Sequence, residues 1–207
     1  TMHDMVAIDK DADADDRIVT LNRDSKCVTV YDLDFTIIKQ QCGSFSGGST
    51  WDKPKAVGYC EAADVIVLAD DRGTDSGDRE HVHIADATTL SNEGSFELNM
   101  DTPLWAIGCL VSDDIIIGGT SKRLERYTQS GGSSQWSVGT QDNIRGLFVD
   151  DSNRIWVANS NGHIQEFTST GGTGITLNEE NDILNPRDIS VTDGTMFVTG
   201  WSASKVT

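Results

Sequence analysis

The chain of 207 residues carries 16 Lys plus Arg against 33 Asp plus Glu, a formal net charge of −17, and 37% of it is apolar. A surface of that sign repels phosphate backbones and anionic bilayers, which excludes nucleic acid and membrane surfaces as expected partners. No apolar run reaches membrane-spanning length and residues 1–5 show no signal-peptide pattern, so a soluble chain with no membrane insertion is expected.

In chain order, short apolar runs separated by polar turns repeat in sets of four. The first set is 5–8, 17–20, 27–31 and 36–39; the second is 56–59, 65–68, 81–84 and 95–98. The third is 105–108, 115–117, 124–127 and 135–138, and the fourth is 146–149, 155–157, 164–167 and 174–177. A fifth begins with 188–191 and 196–198 and reaches 204–207, which aligns with the start of the third run of the first set. With Ile18, Ile66, Ile116, Trp156 and Phe197 taken as equivalent, the spacings are 48, 50, 40 and 41 residues. Periods in the forties are those of propeller blades, with strands a to d in each. The expected fold is an all-β, single-domain β-propeller of about five four-stranded blades, the fifth incomplete. Its blades cover about 5–53, 54–102, 103–143, 144–185 and 186–207.

Asp, Asn and Gly fill the turns between strands a and b, where tight hairpins need residues that tolerate a positive φ. Pro54, Pro103 and Pro186 each fall just before a strand a, which supports the register. The acid is mostly Asp, 25 against 8 Glu, with 7 Lys and 9 Arg. That balance resembles proteins of high-salt surroundings, where screening removes self-repulsion, and it also suits a turn-rich chain.

The stretch from Ile144 to Asn159 (IRGLFVDDSNRIWVAN) resembles NHL-type repeats and the repeats of two-component-regulator propellers. The resemblance implies the propeller fold and an interaction role, and no active site. Residues 44–51 resemble the Asp-box of sialidase-type propellers, with Ser46 where that motif has Asp.

Several groups are candidates for chemistry. Asp9, Asp11 and Asp13 alternate as calcium-loop ligands do and are the candidate Ca²⁺ site; Ala14 and Thr20, where such loops have Gly and Glu, favour a solvated acidic hairpin instead. The acids of the 70–80 loop, Asp70, Asp71, Asp75, Asp78 and Glu80, form a second acidic group. His81 and His83 share a strand face at metal-ligand spacing, or serve packing between blades. Trp51 and Trp201, next to loops, are the candidates for ligand stacking. Cys27 and Cys42 sit on strands c and d where they could face each other; Cys60 and Cys109 read as small buried residues, and free thiols are the default expectation. No nucleophile setting or phosphate-cradling loop is present.

These features point to a noncatalytic propeller that contacts other protein chains as an interaction or structural module of a larger assembly, at a virion or cell surface. For the incomplete fifth blade the expectation is either further sequence beyond Thr207 that completes the ring or a partner docked on its exposed strand edge. Two other classes stay open: a propeller hydrolase or lyase with a channel-bound cation, and a carbohydrate-binding propeller using loop aromatics.

Overall fold

The computed structural model describes residues 2–8, 16–71, 79–98, 103–178, 186–192 and 194–200. All of its regular elements are antiparallel strands, arranged as four four-stranded sheets and one two-stranded sheet. Blade one is β1 (Met2–Ile8), β2 (Arg17–Asn22), β3 (Cys27–Tyr31) and β4 (Ile37–Cys42). Blade two is β5 (Pro54–Cys60), β6 (Val65–Asp70), β7 (His81–Asp86) and β8 (Asn92–Glu97). Blade three is β9 (Leu104–Cys109), β10 (Ile115–Gly119), β11 (Arg123–Tyr127) and β12 (Trp136–Gly139). Blade four is β13 (Ile144–Val149), β14 (Ile155–Asn159), β15 (His163–Phe167) and β16 (Thr173–Asn178). The last sheet pairs β17 (Pro186–Thr192) with β18 (Thr195–Gly200). The described residues therefore form a propeller of four full blades and a two-stranded partial one.

The first strands of the blades, β1, β5, β9, β13 and β17, pack against one another in chain order and form the inner wall. Glycine makes one of these approaches possible. A Cβ on Gly146 would lie 2.6 Å from the Cα of Asp188 on the next inner strand. The core lies between blades. Ile8, Val19 and Leu21 meet Val57, Ile66 and Leu68 at the first interface; Val67 and Val82 meet Ile107, Ile115 and Ile117 at the second. Ile116 and Leu124 meet Leu147, Ile155 and Val157 at the third, and Trp156 and Ile164 meet Ile189 and Val198 at the fourth. Because each middle strand is sandwiched by neighbouring blades, β6, β10 and β14 are buried on both faces.

The hydrogen-bonded register corrects the sequence alignment by one residue in two blades. Val57, Ile107, Leu147 and Ile189 pair with Leu68, Ile117, Val157 and Val198, and Met5 pairs with Thr20. The residues equivalent to Ile116, Trp156 and Phe197 are thus Val19 and Val67, not Ile18 and Ile66. The prolines also sit slightly further in: Pro54 and Pro186 are the first residues of β5 and β17, a position where a strand loses no needed donor.

The turns between strands a and b bear out their chemistry. Asp64, Asp113 and Asn153 have φ of 53°, 63° and 58°, and Gly194 has 72°. Asp150 shows why acid belongs there. Its carboxylate accepts the N–H groups of Ser152 and Arg154 at 3.0 Å each, the Arg154 guanidinium at 2.7 Å and the Trp156 indole at 3.1 Å. Burial works against its charge, but these donors prevail and hold the carboxyl below the usual range.

All four cysteines are paired, which corrects the expectation of free thiols. Cys27 and Cys42 are direct cross-strand partners in β3 and β4 and form one disulfide. Cys60 and Cys109, at the far ends of β5 and β9, form the second and join blades two and three.

Candidate functional site

The inner strands share one irregularity. In each, the second residue is skipped by the pairing: between Met2 and Asp4, Pro54 and Ala56, Leu104 and Ala106, Ile144 and Gly146, and Pro186 and Asp188. Each is a bulge at the same register position, and bulges re-aim the side chain they carry. The bulged residues are His3, Lys55, Trp105, Arg145 and Arg187. In an acidic chain this column is basic and aromatic.

From blades two to five these side chains converge on one mouth of the channel. The Arg145 guanidinium lies 3.6 Å from the centroid of the Trp105 ring, with Lys55 Nζ at 5.7 Å and the Arg187 guanidinium at 5.9 Å. Desolvation and the neighbouring charge of Arg187 both push the Arg145 guanidinium below its ordinary value, partly offset by Asp142. The Lys55 ammonium is bound to Asp71 at 3.1 Å, and Asp142 is bound to Lys122 at 3.1 Å. Trp105 Nε1 and Arg145 Nη1 are buried with no hydrogen-bond partner among the described residues.

In the same wall, directly after the bulges, Asp4 and Asp188 stand where blades two to four have Ala56, Ala106 and Gly146. Burial pushes the Asp4 carboxyl up to about 7, and the charge of Asp188 contributes to the rise. Asp188 is raised as well, by burial, although the N–H of Ile189 bonds it at 2.8 Å.

Next to this mouth, blade two holds a buried acid–histidine pair. Asp70 accepts the N–H groups of Asp52 at 3.0 Å and Lys53 at 2.8 Å, and its Oδ2 lies 3.5 Å from His83 Nε2. The rings of His81 and His83 are stacked with centroids 5.9 Å apart, and His81 Nε2 lies 3.5 Å from Glu97. Trp51 is 3% exposed, sits edge-on to Phe45 at 4.8 Å, and donates its indole N–H to the Lys26 carbonyl at 2.9 Å, so its ring is taken up inside the protein. The Asp-box-like segment thus wedges Phe45 and Trp51 between blades one and two.

Asp9, Asp11 and Asp13, the candidate calcium ligands, lie outside the described residues, as do Asp75, Asp78 and Trp201. Among the described residues no three His, Cys, Asp or Glu side chains are grouped to hold a metal ion. No described helix is long and apolar enough to cross a membrane.

A second feature lies on the outer rim of blade one. β4 pairs with β3 on one side only among the described residues. Ile37 and Ile38 on this strand are 55% and 44% exposed, and Leu33 and Phe35 in the turn before it are 56% and 72% exposed. Phe35 has φ 59°, where the equivalent turns of blades three and four use Gly131 and Gly171. Asp32 secures that turn by accepting the Thr36 N–H at 2.7 Å on its side chain and the Phe35 N–H at 3.1 Å on its carbonyl.

The sequence reading missed the column of bulged residues. Its signal was a Lys, Trp or Arg two residues into every inner strand from β5 to β17, visible once the strands are aligned from their first residues. No protein-family model matches the chain, and no curated protein matches it.

Proposed function

We propose that this chain is a noncatalytic propeller, built of NHL-like repeats and adapted to high salt, that acts as a protein–protein interaction or structural module of a larger assembly. The observation that carries the reading is the apolar rim of blade one. Ile37 and Ile38, adjacent on an edge strand, and Leu33 and Phe35 in the turn before it hold apolar area in water. Such an edge offers unpaired backbone groups as well as apolar anchors, and strand addition by another chain satisfies both. A left-handed φ at Phe35 costs about 1–2 kcal/mol relative to glycine and sets an exposed ring at the hairpin tip, placed to contact a partner. The partial fifth blade, with β18 as its last described strand, is the other edge proposed for a partner strand. Two disulfides support an oxidising location such as a cell or virion surface, where such bonds persist.

The test is a paired substitution, Phe35→Asp with Ile37→Lys, followed by light scattering and by cross-linking within the native assembly. Loss of association with an unchanged thermal midpoint supports the reading. Association that survives the substitutions unchanged removes it.

A further inference from the structure

We propose that the channel mouth formed by Lys55, Trp105, Arg145 and Arg187 is a binding site for the oxyanion group of a small ligand: a carboxylate, sulfate or phosphate. The site is distinct from the blade-one rim on which the functional reading rests, because strand topology puts the starts of the inner strands and the turns between strands c and d at opposite ends of the blades.

Charge is the first argument. The chain has twice as many acids as bases, yet three cations from three blades gather within 6 Å of one indole. Like charges brought this close in a partly buried site repel. Asp71 balances the Lys55 ammonium at 3.1 Å, whereas Asp142, the acid whose charge reaches Arg145, is itself bound to Lys122 at 3.1 Å. A bound anion lowers the repulsion between the Arg145 and Arg187 guanidinium groups.

Donor satisfaction is the second. A buried N–H without an acceptor costs about 1–3 kcal/mol, so native structures rarely keep one. Here two such donors, Trp105 Nε1 and Arg145 Nη1, belong to side chains that touch. Stacking on the indole engages the face of the guanidinium and leaves its N–H groups for a ligand, the fork that matches an oxyanion in two-point fashion.

Construction is the third. The side chains come from one register position, each re-aimed by its own bulge. The repeated wall therefore sets a ring of four long side chains around the mouth, and rigid strands rather than loops position it.

The experiment uses the full 207-residue chain. Sodium sulfate, sodium phosphate and sodium glucuronate are each titrated calorimetrically against sodium chloride at matched ionic strength, with thermal midpoints measured in parallel. At least one oxyanion is expected to bind saturably, one per chain, and to raise the midpoint above that in chloride; comparing the three separates a carboxylate from a tetrahedral ligand. Arg145→Gln and Trp105→Phe should each weaken that binding at least tenfold, while the exposed Arg123→Gln leaves it unchanged. If Arg145→Gln fails to fold, Arg187→Gln serves in its place. No saturable binding by any of the three beyond chloride, or equal affinity in the Arg145 (or substitute Arg187) and Trp105 variants, would overturn the proposal.

Discussion

Oδ2 of Asp4 accepts the backbone N–H of Val57 at 2.8 Å, so a side chain on the first inner strand is hydrogen-bonded to the second. Its other oxygen takes the N–H of Met5 at 2.9 Å. Desolvation nevertheless dominates and raises the carboxyl from 3.8 to about 7, with Asp188 adding to the rise. Between those two values the folded chain holds a proton that the unfolded chain has released. Stability therefore falls as pH rises from about 4 to about 7 and is flat above, at a slope of up to about 1.4 kcal/mol per pH unit. Asp4→Asn should remove that slope and make the variant the more stable protein at pH 8. Urea denaturation across this range checks it; parallel curves for the two proteins would refute the assignment.

Asp70 behaves in the opposite sense. Burial works to raise its pKa, but the His83 ring, 3.5 Å away, and the two backbone donors outweigh burial and hold it below the ordinary 3.8. The stability it supplies is present above pH 3.8 and is lost as pH falls through the lower folded value. Asp70→Ala leaves the Asp52 and Lys53 N–H groups without their acceptor and the buried His83 ring without its neighbouring carboxylate, and should cost about 3 kcal/mol or more at pH 7. Asp70→Asn, which keeps one acceptor oxygen, should cost less. Chemical denaturation of the two variants gives the ordering, and equal losses would contradict it.

The two disulfides differ in the loop they close. Cys27 and Cys42 are 15 residues apart and Cys60 and Cys109 are 49 apart. Loop-closure entropy gives about 3 kcal/mol for the first and about 4 kcal/mol for the second. The unfolded, unreduced chain should show no free thiol. Replacing Cys60 and Cys109 by Ser should lower the denaturation midpoint more than the same change at Cys27 and Cys42. A reversed order would mean that native packing, not chain entropy, sets the difference.

Salt should stabilise this protein. At a net charge of −17 the folded chain repels itself, and molar salt shortens the screening length to about 3 Å. The thermal midpoint is expected to rise by several degrees from dilute buffer to about 1 M KCl. A flat or falling midpoint would dismiss salt adaptation.

The blades were legible in the sequence because polar turns recur every 40–50 residues and the apolar runs among the described residues all lie in strands. Their phase was not. Residues 65–68 and 115–117 are apolar throughout, since a strand buried on both faces carries no alternation from which to tell one face from the other. Only the pairing of Leu68 with Val57 and Ile117 with Ile107 fixed it. The channel mouth was hidden for a related reason: Lys55, Trp105, Arg145 and Arg187 form a column only once the first residues of the inner strands are known. The contact between Cys60 and Cys109 depends on how two blades sit side by side, which no spacing within one blade contains. Trp51, placed near a loop by its neighbours in sequence, is drawn into the core by Phe45 and by the Lys26 carbonyl, partners from within its own blade.

The bond between Cys60 and Cys109 also has a mechanical meaning. If the oxidised chain is pulled from its ends, the 49-residue span between these cysteines cannot be drawn out, even after every strand in it has been peeled from its neighbours. At the reach of an extended chain, about 160–175 Å of contour length stays locked until the bond is reduced. Blades two and three would give way under load as one tethered block, and a protease cut in the connection between them would leave the two pieces joined.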